Sequence, residues 1–197
     1  GYGFSDKPLD RYDYSIFDDA QLVDHYIREV AELEDFILLT HDKGDSVGLA
    51  LLQIYQAYEE KPYQIKHHFI TNGNIYLPLA DLTRGQKALL NPTLGPIITR
   101  LLSPQRLAES IAETTFATSL PQSEIDSYAS IFDYRNGTAV QHEIIEYLNE
   151  RSDNEVAWLE TLNRSDIPTT LIWGELDAIA PTAVPDHVWE NYLADRE

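Results

Sequence analysis

The residues with the clearest chemical potential lie in Leu38-Leu39-Thr40-His41-Asp42-Lys43-Gly44, where an apolar run gives way to helical spacing. A nucleophile presented on a tight strand-to-helix turn needs small residues two places before and two places after it, because the turn is strained and crowds its neighbours. Thr40 and Gly44 flank Asp42 in that way. A second frame overlaps the first, since Gly44-Asp45-Ser46-Val47-Gly48 matches G-x-S-x-G and offers Ser46 instead. Register favours Asp42. The apolar run stops at Leu39 or Thr40 and Asp42 follows at once, whereas Ser46 falls in the first turn of the helix. The bland alternative is a plain turn in which Asp42 or Asp45 serves only the electrostatics of the helix N-terminus.

A second cluster is Leu171-Ile172-Trp173-Gly174-Glu175-Leu176-Asp177. A carboxylate just past a parallel strand lies at the carboxyl edge of the sheet, where open α/β sheets place their sites. Asp177 is the candidate orienting acid and Glu175 the lesser one; otherwise Asp177 is a loop carboxylate capping the next helix. A histidine base would complete the set, but none of His25, His41, His67, His68, His142 and His187 has a suitable place in the pattern. Tyr128, Tyr134 and Tyr147 could hydrogen-bond a substrate oxygen, with packing as the alternative. No cofactor is expected: Gly1-Tyr2-Gly3 lacks the third glycine of a dinucleotide fingerprint, and Lys43-Gly44 lacks the Walker arrangement. His67 and His68, adjacent on a strand, face opposite ways, so no metal site is expected either.

The elements that must position these residues can be read from periodicity. Phe17, Ala20, Val23, Ile27 and Val30 recur at helical spacing behind Ser15, which with Asp18 resembles a capping box. Phe36 to Thr40 is continuously apolar, as suits a strand buried on both faces. A second helix follows Gly44, apolar nearly all round, and a strand from Ile65 to Ile70 closes at Asn72-Gly73-Asn74. From 78 to 164 the texture is helical, broken by prolines at 92, 96, 104 and 121, and contains no strand. A strand from Ile167 to Trp173 and a helix from Val184 to Leu193 end the chain. This order predicts an α/β protein with a parallel sheet and an inserted helical lid. The expected division is core at 1–77, helical cap at 78–164 and core again at 165–197.

Composition limits the partners. The 197 residues carry 33 Asp and Glu against 14 Lys and Arg, a net charge of −19, and that field repels phosphate backbones and anionic lipid. Nucleic acid is therefore not expected, no apolar run reaches the ~20 residues that cross a bilayer, and a small-molecule substrate is the expected partner. With no cysteine, thiol chemistry and disulfides are excluded.

Together, Gly1-Tyr2-Gly3-Phe4-Ser5-Asp6-Lys7-Pro8, the His41-Asp42-Lys43-Gly44-Asp45 turn and Gly174-Glu175-Leu176-Asp177 resemble the α/β-hydrolase fold, on its epoxide hydrolase and haloalkane dehalogenase side. Asn72-Gly73-Asn74-Ile75 and Pro96-Ile97-Ile98-Thr99-Arg100-Leu101 bring it nearer the mesoderm-specific transcript branch. The resemblance implies an internal fragment: Gly1 begins just after the fold's fourth strand, and the loop with the catalytic His and the main oxyanion loop lie outside the chain. It implies that Asp42 attacks an electrophilic carbon to form an alkyl-enzyme ester, that Asp177 orients the His, and that the Lys43 backbone N–H joins the oxyanion hole. Where many members carry Trp after the nucleophile, this sequence has Lys43, which argues against halide release. The fragment alone is expected to be inactive. Two other readings stay open: a serine-type esterase using Ser46, and a catalytically silent fold used for protein interaction.

Overall fold

The computed structural model describes residues 1–9 and 12–194, in two compact units: Gly1–Tyr14 with Leu82–Glu146, and Ser15–Asp81 with the chain from Tyr147 onward. The second unit carries the sheet. Its elements are α1 (Ile16–His25), β1 (Asp35–His41), α2 (Lys43–Ala57), β2 (Gln64–Thr71), and, after the chain returns, α8 (Tyr147–Asn163), β3 (Thr169–Ile172) and α9 (Ala183–Val188). The strands pair in the order β1-β2-β3, all parallel, with one irregularity that skips Lys66 between Phe36 and Ile37.

Ser15 caps α1 as its sequence position predicts, its Oγ accepting from the Phe17 N–H at 3.1 Å. The carboxylate that completes the cap comes from far along the chain: Glu150 on α8 accepts from Ser15 Oγ and from the Ile16 N–H, both at 2.6 Å. A carboxylate at a helix N-terminus is favoured by the helix dipole and satisfies donors that have no partner within the helix. Phe17 meets Trp158 of α8 edge to face, at 5.5 Å between ring centroids.

The sheet departs from the sequence reading in two respects. β1 is not buried on both faces: Phe36, Leu38 and Thr40 point inward, while Ile37 is 60% and Leu39 68% exposed. The inward face is covered because α2 lies close on it. A Cβ on Gly48 would come within 2.6 Å of Thr40 Cγ2 and 3.2 Å of His68 Nε2, so this helix approaches the strands at a distance only glycine permits. The first half of α2, from Asp45 to Leu52, is correspondingly buried apart from Val47. β3 is shorter than Ile167 to Trp173: ladder pairing covers Thr169–Ile172, and Pro168, without an N–H, contributes only its carbonyl, to the His68 N–H at 2.8 Å. After α9 the helix widens into a π-turn over Trp189–Leu193.

The other unit is helical: α3 (Arg84–Leu89), α4 (Gly95–Leu101), α5 (Pro104–Thr115), α6 (Gln122–Asp133) and α7 (Gln141–Ile144). Thr83 and Gln86 form a capping box on α3, and Ser103 caps α5. Tyr14, Val140 and Ile144 form a small buried cluster. No strand lies between 78 and 164, as the sequence predicts. No helix among the described residues is long and apolar enough to cross a membrane.

Beneath α2, His68 is 1% exposed, with Nε2 at 3.0 Å from Thr40 Oγ1. Burial, with a smaller push from His67, lowers its pKa from 6.5 to about 4. As pH falls below 6.5 the unfolded chain protonates this residue while the folded chain resists, so stability present above pH 6.5 is lost as pH approaches 4. The loss amounts to about 3 kcal/mol. Urea unfolding should show that His68→Gln loses less stability than wild type over this interval; equal acid slopes would show that His68 does not titrate in this way.

Candidate active site

β1 ends at His41 and α2 begins at Lys43, so Asp42 alone makes the turn, at φ 51° and ψ −120°. For a residue with a Cβ this is a sparsely populated region costing on the order of 1–3 kcal/mol, and it persists only where the surroundings impose it. Three hydrogen bonds do so. The Asp42 N–H donates to Thr71 O at 3.4 Å, and its carbonyl accepts from the Asp45 N–H at 3.1 Å and from Arg151 Nη2 at 3.3 Å. The small residue this crowding demands is not Gly44, where a Cβ would meet nothing within 4 Å. It is Gly73, where a Cβ would sit 2.9 Å from Asp42 O and clash with Asp45 Oδ2.

Ser46 lies in the first turn of α2, fully buried, with Oγ accepting from Arg151 Nε at 2.6 Å. It is neither at the turn nor accessible. Lys43 turns its ammonium to Asp19, at 2.6 Å, and over the Tyr147 ring at 5.7 Å. Its backbone opens α2 directly after Asp42.

Asp177 follows β3 in a turn closed by its own N–H on Gly174 O at 3.2 Å. Oδ1 accepts from the Ile179 and Ala180 N–H groups, both at 2.8 Å, and Oδ2 from Asn72 Nδ2 at 2.7 Å. Asn72 also accepts from the Gly174 N–H at 2.9 Å, and it adopts φ 40°, a conformation asparagine tolerates better than most residues. In the sequence Asn72 marks only the close of a strand and part of a resemblance motif. The structure makes it the bridge from the end of β2 to the acid after β3, and the available signal was its place opening an Asn-Gly-Asn turn. Glu175 is exposed. Asp42, Asn72 and Asp177 thus stand at the carboxyl ends of β1, β2 and β3.

Five histidines hydrogen-bond away from these residues: His41 with Thr71, His67 with Thr170, His68 with Thr40, His142 with Thr99 and His187 with Asn191. His25 is exposed in the last turn of α1. Tyr147 is buried, and burial together with the Asp42 charge raises its phenol to about 12. Tyr128 and Tyr134 belong to the helical unit, where they meet Phe116 and Phe4. Among the described residues no group of three or more His, Asp or Glu side chains could hold a metal ion.

This parallel sheet with its surrounding helices has solved counterparts. An α/β hydrolase fold protein from Burkholderia ambifaria matches with a TM-score of 0.73 at 18% identity, over 96% of this chain and 65% of that one. The chain has the α/β-hydrolase fold. Haloalkane dehalogenase DatA from Agrobacterium tumefaciens C58 shares it, with a TM-score of 0.72 at 17% identity over 97% of this chain and 66% of that one. So does the epoxide hydrolase CorEH, with 0.54 at 16% identity over 88% and 62%. By sequence, this α/β-hydrolase-fold chain is 31% identical to the mouse mesoderm-specific transcript protein over 184 residues, 92% of this chain and 55% of that protein. It is 30% identical to LipZ of Mycobacterium tuberculosis over 186 residues, 93% of this chain and 63% of that protein. The chain therefore spans little more than half the length of these relatives. No protein-family model matches it.

Asn72→Asp would set two carboxylates against each other where one hydrogen bond now runs at 2.7 Å. Like charges this close repel, so the variant loses stability as pH rises. The variant should match wild type near pH 4 and fall behind by about 1–3 kcal/mol at pH 7 in thermal or urea unfolding. A deficit constant across that range would mean that the Asn72–Asp177 bond does not form.

Proposed function

We propose that the protein is an epoxide hydrolase-like enzyme with Asp42 as its nucleophile. The observation that carries this reading is the turn itself: Asp42 occupies the strained φ 51° position, while Ser46, the other candidate, is buried and engaged by Arg151. A relative, LipZ, carries the word hydrolase in its name, and a structural neighbour is an epoxide hydrolase.

In this mechanism an Asp42 carboxylate oxygen attacks an epoxide carbon. The carbon–oxygen bond of the ring breaks, and the ring oxygen leaves as an alkoxide that takes up a proton. The product is an alkyl ester on Asp42. Tyr147, protonated at neutral pH and close enough to feel the Asp42 charge, is a suitable donor for that proton. Water then adds to the ester carbonyl. The Lys43 backbone N–H stabilises the oxyanion, and collapse returns the carboxylate and releases a diol, water's two protons going one to the departing alkoxide and one back to Tyr147. Asp177 orients the histidine that activates this water, and we place that histidine beyond these 197 residues. The helical segment between β2 and β3 is the cap. Lys43 stands where dehalogenases carry a halide-holding Trp, so halide release is not proposed.

The test uses the full-length protein with a panel of epoxides and esters. Wild type should turn over an epoxide, and intact-mass analysis after a single turnover should show an ester that Asp42→Asn does not form. Residues 1–197 alone, without the base, should show no multiple turnover, since losing acid–base catalysis costs about 10²–10⁴ in rate. Clear turnover by the 197 residues would overturn the placement of the base. A full-length protein inert to the whole panel would favour the non-catalytic reading.

A further inference from the structure

The G-x-S-x-G frame at Gly44–Gly48 has no catalytic use if Asp42 is the nucleophile, yet its residues are among the most completely enclosed in the unit. Asp45 and Ser46 are both 0% exposed, and Gly48 admits no Cβ. The reason lies across the interior in Arg151, on the first turns of α8 and itself 0% exposed. A fully buried guanidinium is costly to desolvate, so its partners must be well placed. Here Nε donates to Ser46 Oγ at 2.6 Å and Nη2 to the Asp42 carbonyl at 3.3 Å, while the guanidinium carbon stands 5.0 Å over the Tyr147 ring. Asp45, fully buried, lies close enough to feel the cation.

The two hydrogen bonds have a geometric consequence. Guanidinium N–H groups are fixed in a rigid plane, so one cation held to Ser46 and Asp42 together locks the turn against the helix that follows it. The direction of the Asp42 carbonyl in this turn is set by ψ −120°, and Arg151 is the only side chain among the described residues that hydrogen-bonds it. Arg151 is therefore placed to hold the reactive conformation from behind without touching substrate.

We propose that Arg151 is a positioning residue for the Asp42 nucleophile, with Ser46 as its anchor, so that the serine of the G-x-S-x-G frame orients the elbow rather than attacking substrate. The proposal rests on the reading of Asp42 as nucleophile, but its structural half can be checked separately. Neighbouring residues on α8 share the work: Glu150 fastens the start of α1, and Arg151 fastens the turn, so the point where the chain re-enters this unit secures both.

The experiment takes full-length protein with Arg151→Lys, which keeps a cation near Asp45 but cannot reach both acceptors, and Ser46→Ala, which removes the anchor alone. Ester formation on Asp42 from styrene oxide is followed in single turnover by mass spectrometry, beside steady-state KM and crystal structures of both variants. Misplacement of a reacting group by about 1 Å can cost on the order of 10²-fold, so Arg151→Lys should slow ester formation tenfold or more with KM within about twofold. Ser46→Ala should slow it less, and Asp42 should leave φ 51° in the Lys variant. Folded Arg151→Lys protein with wild-type rate, or with Asp42 unmoved, overturns the proposal, as does a loss confined to KM. If wild type forms no ester with the epoxide, the nucleophile reading fails, and the crystal structures still decide whether Arg151 holds the turn.

Discussion

One backbone carbonyl organises this molecule. To place Asp42 between the end of β1 and the start of α2 the chain must enter a left-handed conformation that its side chain disfavours. The Asp45 N–H and Arg151 hold the carbonyl in the turned position, and Gly73 is close enough that a Cβ there would press on it. Each contact comes from a different part of the chain. The turn is thus stable only when helix α2, the segment after β2 and helix α8 are all in place, which makes it a product of tertiary structure although every residue in it is local.

The same packing explains the electrostatics beneath the site. Because α2 presses on the strands through Gly48, the space between them holds Asp45, Ser46, Thr40 and His68 without solvent. Burial raises Asp45 to about 7 against the pull of Thr40, Arg151 and the Thr71 backbone, and it depresses His68 to about 4. Both shifts have one cause: the interior disfavours the charged form of either group. Arg151, which cannot shed its charge, instead takes fixed acceptors and an aromatic face.

At the other end of the sheet the acid is treated differently. Asp177 is half-buried with both oxygens satisfied, three donors converging on it from Ile179, Ala180 and Asn72. These bonds fix the carboxylate's direction. Asn72, in its own left-handed conformation, couples this loop to the end of β2 in the way Arg151 couples the elbow to α8. Asp42, through its backbone carbonyl, and Asp177, through its carboxylate, are thus held by separate polar ties at the carboxyl edge of one sheet, and each tie includes a side chain remote in sequence.

Much of this was legible in the sequence. The α/β class, the parallel sheet, the strandless stretch from 78 to 164 and the place of Asp42 at a strand-to-helix junction follow from periodicity and from where apolar runs stop, which are local properties of the chain. What sequence could not decide were the partners. Spacing pointed to Gly44 as the crowded position, yet crowding falls on Gly73 and Gly48, because it depends on which distant backbone approaches. Ser15 with Asp18 suggested a local cap, and Glu150 supplies the carboxylate from more than a hundred residues away. G-x-S-x-G suggested a nucleophile, and the serine is an acceptor for a buried arginine. Residue type and short-range period determined the elements and the chemistry on offer. Only the tertiary structure determined which side chain each turn leans on, because a hydrogen bond is formed by proximity in space, and sequence distance carries no record of it.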